Sequence, residues 1–238
     1  MIMYRRVTDI QAMTFDLDDT LYDNMPYIYQ AERALTNHIE THYPAAARLS
    51  KEIWLACKQQ AISNEPMLKY DMGLLRLATL RNGFAQCEYS LAEAEHAAQD
   101  CFAYFYQQRS LFTVTQPYCD VLAQLSQRMP LIAITNGNVD VAAIGIGQYF
   151  TAVYRADMAH RAKPYADMFD KAQAALDIPA QNILHVGDDL CNDVYGAYLN
   201  GYKSAWYAAD RSMSLQHEPV TCLPDVQLSH FSDLLNWA

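Results

Sequence analysis

Asp16 and Asp18 stand two residues apart directly after the apolar run Ala12–Phe15, with Thr20 closing the cluster. Thr135-Asn136-Gly137 follows Leu131–Ile134, Lys163 precedes Pro164, and Gly187-Asp188-Asp189 with Asp193 follows Ile183–Val186. A carboxylate can serve as a covalent nucleophile, and a second carboxyl beside it can exchange a proton with a leaving group. Each cluster also has a plainer reading. An Asp-rich stretch can simply cap a turn. Thr-Asn-Gly can be an ordinary strand-to-helix turn as well as an anion-binding nest. Lys163 can be a solvated surface lysine as well as an anion ligand near a helix start. Asp189 and Asp193, four apart, share one helix face, and the acids at 188, 189 and 193 exceed what a helix cap requires. Crowded carboxylates repel unless a cation neutralises them, and oxygen-rich sites with open positions suit Mg²⁺. Together the clusters point to a metal-assisted enzyme acting on an anion.

The elements that would position these groups follow from the apolar pattern. Short apolar runs bounded by turn formers read as buried strands, here Ala12–Phe15, Leu131–Ile134, Ala152–Arg155, Ile183–Val186 and Ser204–Tyr207. Between the first and second clusters lie Tyr27–Tyr43, Ser50–Ser63, Leu68–Leu80 and Leu91–Gln108, rich in helix formers. Pro26, Pro44 and Pro66 punctuate them. Asn82-Gly83 is expected to end the third helix with Gly in a left-handed conformation, and Ser90 with Glu93 forms a capping box for the fourth. Further helices are expected around Tyr118–Gln127, from Val139 until the glycines at 145 and 147, from Pro164 to Leu176, and over Leu190–Leu199, closed by Asn200-Gly201. The tail from Asp210 reads as irregular, with a short helix near His230–Trp237. Strands alternating with helices through short links predict a parallel α/β sheet. In such sheets ligands bind beyond the carboxyl ends of the strands, where the helical insertion would lie as a lid.

Bulk properties narrow the function classes. With 52% hydrophobic and 18% charged residues, the 238-residue chain suits a folded protein with a sizeable core. A net charge of −10 argues against nucleic acid or anionic membrane as a partner. Six scattered cysteines without a C-x-x-C pair suit reduced, mostly buried thiols rather than a disulfide framework or zinc site. No signal peptide or membrane span is evident, so a soluble, cytoplasmic protein is expected, as a monomer or small homo-oligomer. His38 and His42, four apart, lack a third metal ligand and read as surface residues, and His185 reads as packed core. Tyr104, Phe105 and Tyr106 supply aromatics on a helix of the insertion.

In their order and setting the four clusters resemble those of the haloacid dehalogenase-like hydrolase superfamily, specifically its phosphatases, from about Ile10 to Gly201. The resemblance implies a Rossmann-like parallel sheet core with helices on both faces, residues 1–22 and 111–238, and an inserted all-helical cap of the C1 type, residues 23–110. It implies Asp16 as nucleophile and Asp18 as general acid/base, with Thr135, Asn136 and Lys163 holding the phosphoryl group. Mg²⁺ would sit on Asp16, the backbone carbonyl of Asp18, and Asp188, with either Asp189 or Asp193 in support. Met13–Asn24, Ile134–Asn138, Arg161–Phe169 and Ile183–Ala197 are similar to a bacterial flavin-pathway branch. Its members remove phosphate from 5-amino-6-(5-phosphoribitylamino)uracil, and some accept FMN. The expected activity is hydrolysis of a small phosphorylated metabolite. The alternatives are a phosphomutase, a sugar-phosphate or nucleotide phosphatase, and, from another class, a phospho-aspartate switch or binding protein. Asp18 argues against the switch, because a lasting phospho-aspartate is better kept away from a base.

Overall fold

The computed structural model describes residues 1–238. Seven strands form one sheet in the order β1-β7-β6-β5-β2-β3-β4: β1 (Ile2–Met3), β2 (Ala12–Phe15), β3 (Leu131–Thr135), β4 (Ala152–Arg155), β5 (Ile183–Gly187), β6 (Lys203–Trp206) and β7 (Val226–Gln227). All neighbours are parallel except the antiparallel edge pair β1–β7. The adjacent strands β5, β2 and β3 are buried throughout, as expected of a sheet covered on both faces. Alternation then sorts their side chains. Met13, Phe15, Leu131, Ala133, Leu184 and Val186 enter one core with α5 (Gln116–Ser126) and the C-terminal 3₁₀ helix Phe231–Trp237. Ala12, Ile132, Ile134 and Ile183 enter the other with α6 (Asp167–Leu176) and α7 (Gly196–Leu199).

Between β2 and β3 run α1 (Met25–His42), α2 (Lys51–Asn64), α3 (Met72–Phe84) and α4 (Leu91–Arg109). They enclose a third core that draws on no strand residue, including Leu35, Leu80, Phe84, Cys101 and Phe105. The Ser90–Glu93 capping box opens α4 as expected. No helix is long and apolar enough to cross a membrane.

Several local expectations need correction. Gly83 does not terminate α3 but lies inside it, where a Cβ would collide with the Trp54 ring; close packing, not a left-handed turn, requires glycine. The third helix is also interrupted, because the Asp71 carboxylate accepts the Leu74 N–H at 2.8 Å and starts α3 after a 3₁₀ turn over Pro66–Tyr70. No helix follows Val139. Asp140 Oδ1 takes the N–H groups of Ala142 and Ala143, and Gly145 at φ +82° closes a series of turns. Helix α6 starts at Asp167, not Pro164, since the Asp167 carboxylate accepts the Arg161 N–H and holds 161–166 as a turn. The segment after β5 opens as a π-helical turn over Leu190–Tyr195 before α7, and Gly201 at φ +74° closes it. The tail is not wholly irregular: it supplies β7 as well as the last 3₁₀ helix.

Candidate active site

β2, β3 and β5 end side by side, and the residues that follow them enclose a cavity of about 190 Å³ with no hydrophobic residue in its lining. Asp16, Asp18, Thr135, Asn136, Lys163, Asp188, Asp189 and Asp193 all reach it. A roomier cavity of about 400 Å³ lies among α1, α2 and α3, but there Glu32 and Arg76 satisfy each other at 2.7 Å.

Lys163 is the centre of the polar cluster. The residue is 4% exposed, and its ammonium donates to Asp16 Oδ1 at 2.6 Å and to the Ile134 carbonyl at 2.8 Å, with Asp193 Oδ1 also at 2.6 Å. Burial alone would discharge it, but the two carboxylates outweigh that and raise its pKa. Two buried acids share this one cation, and they divide it unequally. Asp193 also meets His185 Nε2 at 3.2 Å and accepts the Asp189 N–H at 3.0 Å. Despite the burial that opposes ionisation, Lys163 and these bonds hold its carboxyl below the usual range. Asp16 is pushed well up, by burial first and then by the charges of Asp193 and Asp188, with Lys163 opposing. His185 is buried core, as its strand position implied, and burial keeps it neutral. Its Nδ1 lies 2.8 Å from Thr14 Oγ1, so with Nε2 donating it orients Asp193.

Asp188 Oδ2 accepts from Arg211 at 2.9 Å, while Oδ1 faces Thr20 Oγ1 at 3.4 Å, the same hydroxyl that lies 3.3 Å from Asp16 Oδ2. Burial, then the Asp193 charge, lifts Asp188 to about 7 against the pull of Arg211. Asp16, Asp188 and Asp193 bring carboxylate oxygens within 4.8 Å of one another. Asp16 and Asp188 are raised by burial first and by neighbouring acids after it, and the donors are all oxygen; a hard divalent ion fits this set. Asp193 is already committed to protein donors, which leaves Asp16 Oδ2 and Asp188 Oδ1, sharing only the Thr20 hydroxyl, as the least committed oxygens.

The remaining sequence candidates fall into distinct places. Thr135 Oγ1 accepts the Gly137 N–H at 2.9 Å, ordering the turn after β3. The Asn136 amide is spent on the backbone of Lys163, accepting its N–H at 2.8 Å and donating to its carbonyl at 3.2 Å. It therefore sets the lysine's position from the neighbouring loop. The Asp189 carboxylate caps the next turn through the Cys191 and Asn192 N–H groups, so of the two acids weighed, only Asp193 has its carboxylate in the cluster around Lys163. Asp18 Oδ1 accepts from Tyr22 Oη at 2.6 Å and Arg109 Nη2 at 2.5 Å. Its Oδ2 sits where a Cβ on residue 137 would be, which is why Gly stands there.

Tyr22, Arg109 and Arg211 were missed in the sequence. Thr20 was visible inside the first cluster, but an arginine ending α4 and another in the tail carry no local signal. His38 also departs from expectation. It is not a free surface residue: it stacks on Tyr104 at 4.3 Å and pairs with Asp100 at 2.6 Å, tying α1 to α4. Cys101 lies close by, but burial pushes its thiol up to about 12, so this group is a polar clamp and not a ready metal site.

A model of the haloacid dehalogenase-like hydrolases matches residues 10–197. The chain is 36% identical over 234 residues to the 5-amino-6-(5-phospho-D-ribitylamino)uracil phosphatase of Escherichia coli (strain K12), spanning 98% of both proteins. It is 28% identical to a phosphoglycolate phosphatase of Neisseria gonorrhoeae, over 94% of this chain and 91% of that protein. Among solved structures, a 2-haloacid dehalogenase from Pseudomonas syringae pv. Tomato DC3000 superposes with a TM-score of 0.87 at 28% identity, covering 96% of this chain and 100% of the other.

Proposed function

The chain belongs to the haloacid dehalogenase-like hydrolase family as one of its phosphatases, and from that premise we propose that it is a Mg²⁺-dependent phosphomonoesterase working through an aspartyl-phosphate on Asp16. The observation that carries this reading is the Asp16–Lys163 contact at 2.6 Å inside an all-polar cavity with Asp188 alongside. Lys163 opposes the burial that favours the neutral form of Asp16 and stands ready to neutralise phosphoryl oxygens. Thr135 lines the same cavity, and its hydroxyl, which accepts the Gly137 N–H, would give its own proton to a phosphoryl oxygen. Asp16, the Asp18 carbonyl and Asp188 would hold Mg²⁺, which screens the phosphoryl charge against the acids when bound. Asp18 gives a proton to the leaving alcohol as the P–O bond breaks, then takes one from the water that attacks phosphorus and frees Asp16.

A cavity of about 190 Å³ suits a phosphoryl group and an ion rather than a whole metabolite. The leaving group would then lie outward, against α1–α4, which we assign as a cap over residues 23–110 on a core of 1–22 and 111–238. The full-length similarity to the E. coli enzyme favours 5-amino-6-(5-phosphoribitylamino)uracil as substrate, with FMN as a chemical relative. A dehalogenase reading, suggested by the P. syringae neighbour, would use Asp16 and Lys163 but leave Asp18 and the cation-attracting pair Asp16–Asp188 without a task. A panel of phosphorylated metabolites tests the assignment. The account predicts ribityl phosphates above simple sugar phosphates and no chloride release from 2-chloropropionate; the reverse ranking would remove the flavin-pathway substrate, and chloride release would remove the phosphatase reading.

Chelation by EDTA is expected to abolish hydrolysis, with Mg²⁺ restoring it and Ca²⁺ a poor substitute because it prefers looser, higher coordination. Full turnover in thoroughly chelated protein would contradict the metal requirement.

Stability should report the same site. Asp16 and Asp188 have folded pKa values raised above the unfolded ~3.9. Their contribution is therefore complete below pH ~4 and is lost as pH rises through about 7 for Asp188. Mg²⁺ competes with protons for these oxygens, so its stabilisation grows as they ionise. The expected melting-temperature increase on adding Mg²⁺ is larger at pH 8 than at pH 5, and an equal increase at both would place the ion elsewhere.

A further inference from the structure

We propose that Arg109 and Tyr22 are positioning residues that aim the Asp18 carboxyl at the leaving-group oxygen, so that removing them makes the enzyme sensitive to the basicity of the leaving group. This inference rests on the acid/base role given to Asp18 above.

The geometry is specific. Arg109 is 2% exposed, and its Nη2 and the Tyr22 hydroxyl converge on one oxygen of Asp18 at 2.5 and 2.6 Å. The other oxygen lies against Gly137, in the space a side chain would fill. Three contacts thus fix a carboxyl that would otherwise rotate about two bonds. The Tyr22 ring is itself held, edge-on to Phe112 at 4.8 Å and to Tyr27 at 6.2 Å, with Tyr27 stacked on Phe112. Its hydroxyl stays a donor, since burial and then the Asp18 charge push its pKa well up.

Stability does not account for this arrangement. Burying a guanidinium against a carboxylate that is itself 23% exposed seldom improves on apolar packing of the same volume, and Arg109 Nη1 is buried with no acceptor at all. A guanidinium kept there at such cost is better explained by what it does to Asp18. The two residues also occupy matching places in the chain. Tyr22 precedes α1 and Arg109 is the last residue of α4, so both crossings between the sheet and the helical layer meet at Asp18. The placement of the helices and the direction of the carboxyl are therefore set by the same contacts.

A general acid matters most for poor leaving groups, because a good one departs without a proton. The test uses substituted phenyl phosphates of graded leaving-group pKa with the Mg²⁺-loaded full chain, reading kcat/KM, which reports steps through phosphorylation of Asp16. Arg109→Met is expected to lower kcat/KM for phenyl phosphate at least about tenfold more than for p-nitrophenyl phosphate, steepening the dependence. Arg109→Lys should restore part of the difference, and Tyr22→Phe, which keeps the ring, should show a smaller steepening. Asp18→Asn sets the limit, and adding Arg109→Met to it should change the slope no further. A uniform loss across the series in Arg109→Met, or an unchanged slope in Tyr22→Phe should Arg109→Met fail to fold, would overturn the proposal. If Asp18→Asn itself kept the wild-type slope, the acid/base assignment would fall instead, and if the wild type hydrolysed none of the series the phosphatase reading would.

Discussion

Replacing Asp16 by asparagine will remove turnover, by on the order of 10⁴-fold or more, while leaving the fold as stable as before or more so. The catalytic loss follows from removing the attacking oxygen's charge in a site whose neighbouring carboxylates are each held by a cation. Asp193 is tied to Lys163, His185 and the Asp189 N–H, and Asp188 to Arg211. The stability result follows from the same electrostatics. Asp16 is strained by burial and by two neighbouring acids, so a neutral isostere relieves repulsion. Lys163 would keep Asp193 and the Ile134 carbonyl. Kinetics with p-nitrophenyl phosphate and a thermal melt check both halves. Substantial turnover in a folded Asp16→Asn protein would contradict the nucleophile assignment, and a large drop in melting temperature would contradict the electrostatic one.

Lys163→Met should have the opposite profile, damaging both activity and stability. It leaves Asp16 and Asp193 buried without their cation, a loss of about 3–5 kcal/mol for a broken buried pair. Loss of the phosphoryl partner should lower kcat by roughly 10²–10³-fold. The pH dependence separates this from a simple packing defect. In the wild type, Asp193 has a folded pKa below its unfolded value, so its stability is present above ~3.9 and lost as pH falls. Without Lys163 the same carboxyl is buried with only His185 and the Asp189 N–H as partners, its pKa moves up, and stability is lost as pH rises. The gap in denaturant midpoint between the two proteins should be widest at neutral pH and narrow as pH falls to ~4 and below. A constant offset between pH 4 and 8 would mean that the charge pairing is not what Lys163 contributes.

Much of this site was legible because its residues sit beside strands that announce themselves. Met13, Ala133 and Leu184 lie on strands buried on both faces, so their runs are mostly apolar, interrupted only by Thr14 and His185, and the polar residues that follow each run lie at the carboxyl edge. That placed Asp16, Thr135 and Asp188 correctly relative to one another. The choice between Asp189 and Asp193 was not legible, because both share a helix-start face in an ideal helix. The π-helical turn and the Gly187 approach direct Asp193 inward and leave Asp189 as a cap. Arg109 and Arg211 were hidden for another reason. Their partners lie 91 and 23 residues away, and nothing in a local pattern marks which surface-type residue will be drawn inward. Gly83 was misread because a glycine near a helix end has two causes, and the Trp54 ring comes from another helix. The edge pair β1–β7, two residues per strand, is too short to leave a periodic signal.

The central claim, that Asp16 carries the phosphoryl group and water then attacks phosphorus, is tested most directly by acid-quenched turnover in ¹⁸O-labelled water with mass analysis of the peptide containing Asp16. The account predicts a phosphate adduct on that peptide during turnover, label in the released phosphate, and none in the Asp16 carboxylate afterwards. Label accumulating in Asp16 would mean that water attacks the acyl carbon, as an ester intermediate of dehalogenase type requires, and a rapid turnover with no adduct at any time would mean direct hydrolysis by water.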